Sequence, residues 1–285
     1  MAMMCPTGIC PSMERGTRMV DMLSHGFMQR ALVAGLIVGT LCAVVSVFVV
    51  LKKLSFIGAG ISHSAFGGMA LGALFGVNLT FSAMAFCVGV ALLIGWLSRR
   101  GGVSEDVGIG VVFSSSMAMG VVALGFSGDY TVDLFSYLFG SILAVSSSDV
   151  ALAGGTLAVA LVVVVALFKE LLAYCFDEEW AMVRGINTRL IQDILMVLLA
   201  VTVVVSIKLL GIILVSALLV IPGAVGRVLS ENYRGQMALS LAVAQVSTVA
   251  GLYISYRFDV ASGASVALVA AFCFFAAVAW PRRRA

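Results

Sequence analysis

LKKLSFIGAGISHSAFGGMALGALFG, residues 51–76, sets the reading of the whole chain. Two lysines open it, and from Ile57 to Ser98 there is then no Asp, Glu, Lys or Arg. A membrane-spanning helix needs about 20 apolar residues, so this charge-free stretch has room for two spans and the turn between them. Gly60, Ser64, Gly68, Gly72 and Gly76 recur every fourth residue. On a helix they form one stripe of small side chains, which lets a neighbouring backbone come close. The stretch therefore reads as an interior helix of a membrane bundle. His63 lies on it, about 100° around from the stripe and about 12 Å along the helix from Ser55.

The pattern repeats outward from this segment. Charged residues are also absent from 107–128, 150–168, 209–226, 235–256 and 260–281. Of the 285 residues, 62% are hydrophobic and 11% charged. Soluble domains carry about 25% charged residues, so this chain cannot cover a water-facing surface. The expectation is an all-α, polytopic transmembrane bundle of about eight or nine spans. They fall near 31–51, 57–76, 79–98, 107–126, 149–168, 190–207, 209–228, 236–256 and 261–280. Residues 1–18 read as a disordered N-terminal extension, and 19–285 as the membrane domain. Neither a net charge of +3 nor its distribution suggests nucleic acid. Of the six cysteines, Cys42, Cys87 and Cys273 fall in apolar runs and Cys175 in a polar loop, with no disulfide framework implied.

Basic residues set the orientation. With the C-terminus inside and nine spans, the inner connections hold Lys52, Lys53, Arg99, Arg100, Lys169, Arg184, Arg189, Arg227, Arg234 and Arg282–Arg284. The outer connections hold only Lys208 and Arg257. This asymmetry follows the positive-inside rule. Arg15, Arg18 and Arg30 fall on the outer side in this arrangement, and an eight-span chain with an inner N-terminus is the alternative. The outer connection 127–148 holds Asp129 and Asp133, and its apolar part, Leu134–Val145, is too short to cross.

Three features carry chemistry. His63 is the only His, Asp, Glu, Lys or Arg placed well inside a span, and such residues usually face a cavity or a partner. Neutral imidazole ligates transition metals, whereas a packed histidine would only hydrogen-bond locally. The inner connection reads FDEEWAMVRGI, residues 176–186. Asp177 suits a helix cap, Glu178 and Glu179 the first turn, Arg184 the last turn and Gly185 the stop. That makes a helix of about two turns, either resting on lipid with Trp180 at the headgroups or docking a cytoplasmic partner. In the seventh span Pro222 removes a backbone donor and Gly223 follows, so a kink or break is expected. There is no GxxxxGK[ST] phosphate loop, no HExxH and no GxSxG. The chain carries no ATPase of the phosphate-loop type.

These segments, in order, resemble one family: the permeases of ABC importers for zinc, manganese and iron. DMLSHGFMQRALVAGLIVG (21–39), the opening 51–72 segment, EDVGIGVVFSSSMAMG (105–120), DLFSYLFGSILAVSSSD (133–149), CFDEEWAMVRGI (175–186) and LLGIILVSALLVIPGAVGRVLS (209–230) each resemble a block of that family. The resemblance covers about residues 20–281 and makes 19–285 a permease domain in a bacterial inner membrane. It implies a homodimer with a translocation path at its interface and transport of a divalent metal ion, with no cofactor bound by the chain itself. A separate ATP-binding subunit would dock inside, and an extracytoplasmic metal-binding protein would deliver cargo. His63 becomes a metal ligand on the path. Asp177, Glu178, Glu179, Ala181 and Gly185 become parts of a coupling helix, and Gly68, Gly72, Gly76 and Pro222 packing and kink positions. One position departs: many members have an Asp four residues before the histidine, and here it is Ala59. A stand-alone metal channel or an ion-coupled carrier is the alternative reading.

Overall fold

The computed structural model describes residues 26–100, 104–127 and 145–279. The extension 1–18 and most of the outer connection 127–148 lie outside the described residues. The helices are α1 (Gly26–Leu51), α2 (Ile57–Leu74), α3 (Leu79–Arg100), α4 (Glu105–Ser127), α5 (Ser147–Ala166), α6 (Phe168–Phe176), α7 (Glu178–Val183), α8 (Thr188–Leu210), α9 (Ile212–Leu218), α10 (Ile221–Leu229), α11 (Tyr233–Phe258) and α12 (Ser262–Ala279). Among the described residues, nine segments are long and apolar enough to cross a membrane, with α9 and α10 together forming one of them. The protein is a polytopic helical membrane bundle.

The charge-free runs form these helices because a backbone in lipid must satisfy its own polar groups. Local chemistry sets where they stop. α2 ends at Leu74, after which Val77 donates to the Gly72 carbonyl at 2.9 Å and Gly76 takes φ +65°. This is a left-handed cap that favours glycine. Gly76 therefore stops the helix rather than packing it: a Cβ there would meet nothing within 4 Å. The four-residue spacing simply runs past the helix end. α1 closes in the same way, with Lys53 at φ 61° and Leu54 donating to the Val49 carbonyl at 2.9 Å.

The small stripe on α2 meets two neighbours. A Cβ on Gly68 would lie 2.9 Å from the Ala83 Cα, and one on Gly72 2.7 Å from the Ser82 Cβ, both on α3. Gly60 instead faces Ile109 of α4. Gly67, which lies off the stripe, permits the closest approach to α4, where a Cβ would stand 2.5 Å from the Ser116 carbonyl oxygen. α2 is thus wedged between α3 and α4. With α1 and α8 it forms the most buried part of the bundle.

The seventh span is broken. α9 stops at Leu218 and α10 starts at Ile221, with Pro222 in its first turn, where the missing donor costs nothing. Beyond the break, close contact depends on Gly223. Its Cβ would stand 2.5 Å from the Ser46 carbonyl oxygen on α1. Polar side chains join α1 to α11: Ser240 donates to the Ala43 carbonyl at 2.9 Å, and Gln245 to Thr40 Oγ1 at 2.6 Å. Such bonds hold helices together where lipid provides no competing partner.

Ion pairs pin α8 at both ends. At the end of the bundle that carries the basic turns, Arg99 of α3 meets Asp193 at 2.7 Å and Gln192 at 2.8 Å. At the opposite end Lys208 meets Asp149 at 2.6 Å, where Asp149 also closes the capping box of α5 with Ser146. Each pair is partly exposed and contributes about 1 kcal/mol at most.

Candidate functional site

His63 occupies the second turn of α2. From Ile57 to Ala70 every residue is buried except Ala59 and His63, which are half-buried. Residues four apart share a helix face, so these two positions form one narrow opening on an otherwise enclosed helix. The His63 ring stands edge-on to Phe113 of α4, with centroids 5.2 Å apart. Its neighbour Ser64 donates to the Gly60 carbonyl at 2.8 Å, while the buried Ser62 hydroxyl has no partner. Among the described residues no three His, Cys, Asp or Glu side chains converge as a metal cage. The geometry allows a single imidazole contact on a passing ion, not a closed site.

The segment 176–186 folds into α7, six residues and close to two turns long, between the Asp177 cap and Gly185. Asp177 accepts from the Trp180 N–H at 3.0 Å. At the other end Ile186 donates to the Ala181 carbonyl at 3.1 Å and Gly185 to the Met182 carbonyl at 3.0 Å, with Gly185 at φ +80°. These are the two bonds of a Schellman stop. Ala181 is fully buried, whereas Glu179, Trp180, Met182 and Val183 are exposed. Arg184 stacks on Trp180, 4.2 Å from the ring centroid. A helix capped at both ends thus exposes Trp180, Met182 and Val183 beside Glu179 and Arg184.

Three neighbours of α7 were not evident from the sequence. α6 precedes it as a separate helix, with Leu171, Tyr174 and Cys175 buried. Cys175 is therefore not in a loop, and burial pushes its thiol up to about 12. Tyr174 is raised well above the usual phenol range by burial first and then by the nearby Glu178 and Glu105 carboxylates. Finally, Lys52 reaches Glu178 at 2.9 Å and lies 3.7 Å from the Tyr174 ring centroid. The separation of 126 positions between Lys52 and Glu178 leaves no local signal of this pair.

Elsewhere, an apolar groove of about 710 Å³ runs between α5 and α8, from Ala151 and Val201 towards Asp193. Its walls carry Thr156 and Asp193 as the only hydrogen-bonding side chains, so it offers a cation little along most of its length.

Residues 24–280 match the model of the family described as "ABC 3 transport family". The chain is 37% identical over 259 residues to the manganese transport system membrane protein MntC of Listeria innocua, covering 90% of this chain and 91% of that one. It is 33% identical to a probable iron transport system membrane protein of Haemophilus influenzae, covering 93% and 98%. Among solved structures, a chain of PsaBC from Streptococcus pneumoniae in complex with Fab superimposes with a TM-score of 0.81 at 30% identity, covering 93% of this chain and 97% of that one. The family model spans every described helix, and the break at Leu219–Val220 and the capped α7 both fall within it. The chain belongs to the ABC 3 transport family and is a multi-pass membrane permease of that family.

Proposed function

We propose that this chain is the permease of an ATP-driven importer that carries a divalent transition metal, manganese or iron before zinc, into the cytoplasm. The observation that carries the reading is the Ala59–His63 opening on α2. A bare ion loses its water on entering a low-dielectric path and needs replacement ligands. Imidazole is one such ligand, and it is offered here by the only part of α2's buried stretch that is open. The names of the manganese and iron relatives support the choice of metal.

The opening lies on the outer surface of a single chain. A half-exposed histidine at membrane depth is costly against lipid and favours a covered, wet environment. A second copy of the chain facing this surface would enclose the path. On the basic end, which the positive-inside rule puts in the cytoplasm, α7 presents its exposed face to a separate ATP-binding subunit. A metal-binding protein would deliver cargo at the opposite end.

The test is uptake of Mn²⁺ by vesicles holding the permease, its ATPase and its binding protein. Uptake that requires ATP and the binding protein supports the reading. Uptake by the permease alone, down a gradient and without ATP, would make it a channel or carrier instead.

A further inference from the structure

We propose that Lys52 is a positioning residue: it links α7 to α2, so that movement of α7 shifts the helix carrying His63. The proposal rests on α7 being the segment that the ATPase moves.

Lys52 is the first residue after α1 and is mostly covered, its side chain 15% exposed. Its ammonium group bonds Glu178 Oε2 of α7 at 2.9 Å and lies over the Tyr174 ring of α6 at 3.7 Å. Glu105, at the start of α4, lies within coulombic reach of both Lys52 and Glu178. One cation thus stands between carboxylates from two elements, above a buried aromatic ring. A charge held this way follows the carboxylate that moves.

The connection from Lys52 to α2 is stiff. Lys52 donates to the Phe48 carbonyl at 3.0 Å, Leu54 to the Val49 carbonyl at 2.9 Å, and Ile57 to the Leu54 carbonyl at 3.0 Å. The turn contains no glycine, and Leu54 and Ile57 at its ends are buried. A displacement of Lys52 has no loose joint in which to dissipate before α2 begins. His63 is six residues further on, roughly 9 Å along the helix. α7 itself packs mainly on α6 and α8, not on α2. The remaining route from α7 to α2 is through α8, and the experiment separates the two.

The ion pair is partly exposed, so removing it should leave the fold intact. The full transporter, with its ATPase and binding protein, is reconstituted in vesicles, and Mn²⁺ uptake is measured per ATP hydrolysed. Lys52→Gln and Glu178→Gln should each lower uptake per ATP at least about fivefold, the lower end of typical coupling strengths, with thermal stability unchanged. The double variant should be no worse than either single variant, because both remove the same link. Lys52→Arg should keep most of the coupling. If Gly185→Pro uncouples transport while both Gln variants keep the normal ratio, the signal passes through α8 and the Lys52 link is wrong. Losses that multiply in the double variant would equally overturn it. A normal ratio in Gly185→Pro would remove the coupling role of α7, and the Lys52 link with it.

Discussion

Ala59 and His63 lie one helical turn apart and are the only residues of α2 between Ile57 and Ala70 that are not buried. The rest of that stretch is closed mainly by α3 and α4, with α8 and α9. The position that could have supplied a carboxylate beside the imidazole is therefore open, correctly oriented and filled by a methyl group. A single neutral ligand holds a divalent ion weakly, which suits passage rather than retention.

The orientation of the bundle can be tested by labelling. Single cysteines replacing Arg100 or Glu179, on a cysteine-free background, should resist an impermeant thiol reagent in intact cells and react after permeabilisation. The basis is the clustering of basic residues at this end. Rapid labelling of either cysteine from outside would reverse the orientation.

Cys175 should be inert in the folded protein. It is 7% exposed, and its thiol is pushed up to about 12 by burial in α6. The thiolate is the reactive form, and almost none exists near neutral pH. A permeant maleimide should leave Cys175 unmodified at pH 7 in detergent and modify it after denaturation, as read by mass spectrometry of the peptide. Fast modification of the native protein would place α6 elsewhere.

Glycine substitutions on α2 should separate packing from termination. Gly68→Leu forces a side chain into the backbone of α3, where even a Cβ would stand 2.9 Å from the Ala83 Cα. A cost of about 1–3 kcal/mol or more follows from overpacking. Gly76→Ala meets no neighbour but must hold φ +65°, at a cost of roughly 1–2 kcal/mol. Gly89→Ala, also without a neighbour within 4 Å and inside helix α3, should be neutral or slightly stabilising. Thermal unfolding in detergent ranks the three. A stable Gly68→Leu would mean that α2 and α3 are not in close contact.

Much of this structure was legible in the sequence because it is local. Uninterrupted apolar runs mark the spans, Asp177 and Gly185 mark the ends of α7, and Pro222 marks the break between α9 and α10. Long-range pairing was not legible. Nothing in the sequence near Lys52 points to Glu178, and nothing near Lys208, read there as an isolated outer charge, points to Asp149. Periodicity also overreached at Gly76, because a repeat of four continues in the sequence after the backbone has left the helix. The same limit applies at Gly223, where the approach to the Ser46 carbonyl depends on how α1 and α10 cross. His63 was singled out by its isolation, but the opening it shares with Ala59 became visible only from the packing of α2.

The metal path is the central claim, and His63 tests it most directly through ATP-driven Mn²⁺ uptake in vesicles containing the complete transporter. His63→Gln keeps hydrogen-bonding capacity but is a poorer transition-metal ligand, whereas His63→Ala loses both functions. If the imidazole contacts the passing ion, both variants should fold and hydrolyse ATP, and both should lose uptake by roughly tenfold or more, the scale of one lost ligand contact of about 1.4 kcal/mol. Ala59→Asp should then slow release or change the preferred metal. Normal uptake by His63→Gln, with misfolding of His63→Ala, would show that the histidine only packs against Phe113 and that the metal travels along another face.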